Sequence, residues 1–130
     1  MTDENDVELA LAELFDRYAD GYDDYDVNGI LSCFTYPIVV WQLGDGHVFA
    51  DRDELIENLE ALLEAHRENG VVQSVYEFVS SHVSGSTAYV TLDWQQEDED
   101  GETVFDFTCH YVLMLFDNEW KVISIINEPS

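Results

Sequence analysis

The sequence predicts an α+β protein in which three helices gather on one face of a mostly antiparallel sheet, in the order ααββαββββ. Three observations carry this. Apolar residues recur at helical spacing from Asn5 to about Tyr22 and again from Leu55 to His66. After Gly70 the period switches from helical to alternating and stays so to the end. That alternating half is cut by short polar turns into four long runs, as a meander requires. No linker or internal repeat interrupts the 130 residues, and a chain of this length normally builds one core, so residues 1–130 are expected to form a single domain.

The first helix is expected from Asn5, with Val7, Leu11, Leu14, Phe15, Tyr18 and Tyr22 on one stripe and Asn5 followed by Glu8 as a capping box. Asp26 opens a short second helix carrying Val27, Ile30, Leu31 and Phe34, which Pro37 should end through its missing donor and fixed backbone angle. Ile38 to Leu43 is rich in β-branched and aromatic residues, Gly44, Asp45 and Gly46 form a turn, and His47 to Ala50 returns. Asp51 caps the third helix, with Glu54 three residues on, and Gly70 stops it. Four strands follow: Val71 to Val83, Thr87 to Gln96, Thr103 to Phe116 and Trp120 to Asn127. The acidic run Glu97 to Glu102 lacks the spacing of a calcium loop and reads as a solvated hairpin tip.

Twenty-nine acids stand against four bases, Arg17, Arg52, Arg67 and Lys121, for a formal charge of −25. A compact body so charged repels itself in dilute buffer, whereas molar salt shortens the screening length to about 3 Å. The composition therefore points to the cytoplasm of a salt-accumulating halophile. With 46% apolar residues, including three Trp, seven Tyr and seven Phe, the chain has the core-forming material that disordered chains lack. Nucleic acid is not expected as a partner because phosphate binding needs basic clusters. A membrane is not expected either: the start MTDENDVELA is acidic, and no apolar run approaches a span. Cys33 and Cys109, far apart and without CxxC spacing, read as buried free thiols. The histidines lack metal-ligand spacing and no phosphate loop or serine elbow is present, so no metal and no cofactor are expected.

Arg17-Tyr18, Asp26, Gly29-Ile30 and Phe34, together with Lys121-Val122-Ile123-Ser124 near the end, resemble the patterns of the nuclear-transport-factor-2-like superfamily, which includes the SnoaL-type cyclases and ketosteroid isomerase. The resemblance spans nearly the whole chain and implies a cystatin-like cone, a strongly curved sheet with an apolar pocket at its wide end. It also implies roles. The tyrosine that donates to a substrate oxyanion falls on Tyr18. The general-base aspartate position holds Gln42, which takes no proton near neutral pH. The second oxyanion donor falls on Val112, which has no polar hydrogen. Isomerase chemistry is therefore not carried over.

If Val112 faces the pocket, as the resemblance implies, a period of two places His110, Thr108 and Asp106 beside it. On the preceding strand Ala88, Val90, Leu92 and Trp94 form the apolar face, and by the same match Ile123, Ile125 and Asn127 point inward from the last strand. The expected ligand-binding set is Tyr18, Tyr22, Gln42, Trp94, His110, Val112 and Asn127, with Trp41 a further stacking wall. If the protein is an enzyme, His110 and Tyr18 are the catalytic pair. One conflict stands in the pattern. The odd face of the third long strand, Phe105 to Leu115, is greasier than the even face. Either the inward assignment is wrong or a second subunit covers that face, and the rarity of large exposed apolar patches favours a homodimer through the outer sheet. Three functions compete: a binder of a small apolar or aromatic molecule, a cofactor-independent isomerase, cyclase or dehydratase, and a structural dimer without ligand.

Overall fold

Helix α1 (Glu4–Asp23) buries Val7, Leu11, Leu14, Phe15, Tyr18 and Tyr22 as one stripe, the spacing its sequence prescribes. The structure, a computed structural model, describes residues 4–42 and 44–129. Because the helix already includes Glu4, Asn5 lies inside it and not at its cap. Helix α2 (Val27–Leu31) is capped by the Asp26 carboxylate, which accepts from the Gly29 N–H at 3.2 Å. It crosses α1 closely. A Cβ on Gly21 would meet Ile30 Cγ1 at 2.7 Å and the Ile30 backbone nitrogen at 3.1 Å, so only glycine permits this approach.

Helix α2 ends six residues before Pro37, which corrects the expectation that proline stops it. Phe34 and Pro37 instead belong to β1 (Phe34–Gln42). Pairing of β1 with β6 (Glu119–Pro129) jumps from Phe34↔Val122 to Val39↔Ser124, and the proline sits in that gap, where no ladder donor is required. The end of the expected strand, Leu43, lies outside the described residues. Strand β2 (Asp45–Phe49) returns beside β1. Helix α3 (Arg52–Glu68) begins on Asp51, whose carboxylate accepts from Glu54 N–H at 3.0 Å, while the Glu54 carboxylate accepts from Ala50 N–H at 2.9 Å.

Strands β3 (Gln73–Ser84), β4 (Thr87–Glu97), β5 (Thr103–Phe116) and β6 form the expected antiparallel meander. The six strands lie in the order β2-β1-β6-β5-β4-β3, with β1 and β6 parallel. At the β4–β5 tip, Asp98 Oδ1 accepts from the backbone of Asp100 and Glu102, each at 3.0 Å, so that acidic run is an ordinary turn. Irregularities interrupt pairing at Val79 in β3, at Val104 in β5 and at Ile123 in β6, bending the sheet. The chain is thus α+β, with helices set against a curved sheet in the cystatin-like manner. Phe15 of α1 packs 4.8 Å from Tyr111 of β5, both fully enclosed; burying each such side chain contributes roughly 1.5–3 kcal/mol. No described helix is long and apolar enough to cross a membrane.

One bulge overturns the expected facing of β5. Beside the turn Glu97 pairs with Thr103, but Gln96 pairs with Phe105, so Val104 is an extra residue. From there on the inward residues of β4 stand opposite odd residues of β5: Trp94↔Phe107, Leu92↔Cys109, Val90↔Tyr111 and Ala88↔Leu113. Directly opposed residues share a face, so the odd set is the core and His110 and Val112 face outward. The greasy face needs no second subunit, because the helices cover it.

Candidate functional site

A cavity of about 360 Å³ lies between α1, α3 and the concave face of the sheet. Its enclosed wall is aromatic: Tyr18 and Tyr22 from α1, Trp94 from β4 and Tyr111 from β5 are all buried. Their spacing follows from the elements. Residues four apart on a helix stack one above the other, which brings Tyr18 and Tyr22 to a hydroxyl separation of 3.3 Å. Trp94 Nε1 donates to the Tyr111 hydroxyl at 2.9 Å, so both rings are held in place. A pair of phenols bonded to each other uses one of its two protons, and the other remains for a bound molecule.

Burial keeps this wall uncharged. It raises the Tyr18 phenol well above its ordinary value, with Tyr22 and Tyr111 nearby adding to the effect, and it does the same to Tyr111. Tyr22 is pushed up to about 12 by burial, partly offset by its bond to Tyr18, and burial takes the Cys109 thiol in the same wall to about 12. The phenols can donate hydrogen bonds near neutral pH but supply no anion. At the mouth stand the more exposed Gln42, Asn58, Leu62, Phe105 and Asp106.

Of the expected ligand-binding residues, Tyr18, Tyr22, Gln42, Trp94 and Asn127 all line this cavity. Asn127 gets there because it opposes Cys109 across the β5–β6 pair. Ile123 does not, since it is the bulged residue of β6 and Val122 takes the buried place. His110 and Val112 are corrections. His110 lies on the outer face, with Nδ1 2.9 Å from the Thr91 hydroxyl and Nε2 2.9 Å from the Glu128 carboxylate. Tyr18 is on the other side of the sheet, so no chemistry pairs the two rings. Trp41 also faces outward, its ring lying over Gly46 on β2.

Sequence reasoning missed His66 and Gln96. His66 is 3% exposed and its imidazole is flanked by Tyr22 at 5.6 Å and Phe105 at 6.3 Å, both centroid distances. Gln96 is directly opposite Phe105, which places the two polar groups around one ring. Among the described residues neither side chain has a hydrogen-bond partner, and neither is among the sealed polar atoms, which are the Tyr36 hydroxyl and Ser74 Oγ. Their polar atoms therefore open into the cavity. Burial lowers the His66 pKa below its ordinary 6.5, so the ring is neutral near pH 7 and offers one donor and one acceptor. The available signal was a histidine on the apolar stripe of α3, in line with Leu55, Leu59 and Leu63.

Helices set against a strongly curved six-stranded sheet place the chain in the class of cystatin-like folds. Residues 6–130 match the family described as NTF2-like protein (DUF6841), and the chain belongs to that family. Among solved structures it is similar to a Nostoc punctiforme domain of unknown function with a cystatin-like fold: TM-score 0.78, 17% identity, covering 99% of this chain and 80% of that one. It is also similar to a second Nostoc punctiforme protein of unknown function with that fold, at TM-score 0.76 and 16% identity over 98% of this chain and 93% of that one. An NTF2-like protein of unknown function from Shewanella baltica gives TM-score 0.68 and 17% identity over the full length of both. At these identities the likeness shows the fold. Compared with curated protein sequences, the chain matches none.

Proposed function

We propose that residues 1–130 form one NTF2-like domain that binds a small apolar or aromatic molecule in the cone. The observation that carries this is the cavity itself. About 360 Å³ is within the range of small-molecule sites, and apolar and aromatic residues with a few convergent polar groups are the usual lining of such sites. A collapsed structural domain would have filled this space, since each unfilled core volume costs stability. Tyr18, Tyr22, Trp94 and Asn127 are the contacts proposed from the sequence, with Gln42 at the rim.

The test is a thermal-shift panel of steroids, aromatic polyketides and terpenoid epoxides in molar KCl, run beside Ala65→Phe. Ala65 lines the cavity from α3, and the added ring occupies it. At least one compound should raise the melting temperature of the native protein and leave the variant unmoved. A panel in which nothing shifts the native protein would return the domain to a structural role. The net charge of −25 supports a high-salt cytosol as its location. A homodimer is proposed through the outer sheet face, now on different grounds: Tyr89, Trp41 and Ile126 are 51%, 47% and 44% exposed there.

A further inference from the structure

The four basic side chains are all engaged away from the cavity. Arg17 lines an open, acidic cleft between α1 and α2 with Glu13, Asp16 and Asp20. Arg52 donates to the Asn28 side chain. Arg67 pairs with Glu64 at 3.1 Å and stacks over the Tyr25 ring. Lys121 Nζ donates to the Ser32 carbonyl at 2.6 Å. Among the described residues none of them lines the hollow, and the single carboxylate in its lining, Asp106, stands at the mouth. Inside it are phenols, amides, a thiol and one imidazole.

We propose that the cavity admits an uncharged apolar molecule whose single hydroxyl or carbonyl sits on His66 and Gln96, and that it turns away carboxylates. This rests on the reading of the cavity as a ligand pocket. The rejection of anions arises from desolvation and not from Asp106. In molar salt the field of a mouth carboxylate is screened within about 3 Å, whereas an anion carried past the aromatic wall loses its water and meets no cation in exchange. A neutral head loses far less water and regains its bonds at His66 and Gln96, two groups left open to the cavity. An aromatic ring suits the remaining space, because His66 lies between Tyr22 and Phe105, Gln96 stands opposite Phe105, and Tyr18 and Trp94 complete the aromatic wall.

Four naphthalenes substituted at the same ring carbon test this by calorimetry in molar KCl near neutral pH: ethylnaphthalene, naphthol, acetylnaphthalene and naphthoate. Naphthol and acetylnaphthalene should bind, with naphthoate at least about a hundredfold weaker. His66→Phe should weaken naphthol about tenfold and ethylnaphthalene by less, Gln96→Leu should weaken acetylnaphthalene, and His66→Gln, which keeps a donor and an acceptor, should retain naphthol better than His66→Phe. Naphthoate binding as tightly as naphthol overturns the proposal. So does ethylnaphthalene binding as tightly as naphthol, a result that leaves the pocket reading standing. If none of the four binds, the pocket reading and this inference fall together.

Discussion

His66 is the residue whose environment departs most from its sequence context. On the helix it is one more position of an apolar stripe, but in the fold it is a polar group enclosed by Tyr22 and Phe105 with no described hydrogen-bond partner. Its pH behaviour follows. Burial lowers the folded-state pKa below the ordinary 6.5, so above that value both folded and unfolded forms are neutral and nothing is lost. As pH falls below 6.5 the unfolded chain takes up a proton that the folded ring refuses, and stability drops by up to about 1.4 kcal/mol per pH unit until the folded pKa is passed. The measurement is a difference between two proteins that share every other titratable group, so only the ring at position 66 separates them. Melting temperatures of the native protein and His66→Phe, compared from neutral pH down to about pH 5, should show the native protein losing ground to the variant below pH 6.5. Parallel curves would mean that the ring is already solvated.

At the scale of elements, what holds the two N-terminal helices at their crossing is the missing side chain of Gly21. Ile30 beneath it is fully enclosed, and one of the two near contacts is backbone, so neither can move aside cheaply. Gly21→Ala should cost about 1–3 kcal/mol by urea denaturation, despite alanine's better helix propensity. A neutral or stabilising substitution would show that the crossing does not depend on the bare Cα of Gly21. The strands teach the complementary lesson. Their existence, limits and turns were legible in the alternation after Gly70, whereas the facing of β5 was not. With the register beside the turn continued, Trp94 would oppose Asp106 and Val90 would oppose His110, which is the arrangement the family resemblance implied. Val104 adds one residue, and every side chain beyond it changes face.

For the whole molecule the governing quantity is charge. Twenty-nine acids on a body of 14.9 kDa repel one another, and the four bases engage only nearby partners. Sedimentation velocity in dilute buffer and in molar KCl should find an expanded, partly unfolded chain in the first and a compact particle in the second, with the mass of two chains if the outer sheet face pairs. Equal sedimentation behaviour in both would remove the halophile reading, and a single-chain mass in molar salt would remove the dimer.

The sequence by itself determined the order of elements, the caps on Asp26 and Asp51, the stripe of α1, the apolar face of β4 and the excess of acid, because each depends on neighbours a few residues apart. Tyr18, Tyr22, Trp94, Gln42 and Asn127 were found at the cavity since their faces follow from such local periods or from the family match. Only the tertiary structure decided that Pro37 belongs to a strand, that His110 points away from the hollow and that His66 and Gln96 point into it. A bulge shifts register by one residue without altering the pattern on either side of it, and enclosure is imposed by partners distant in the chain. Local spacing records neither.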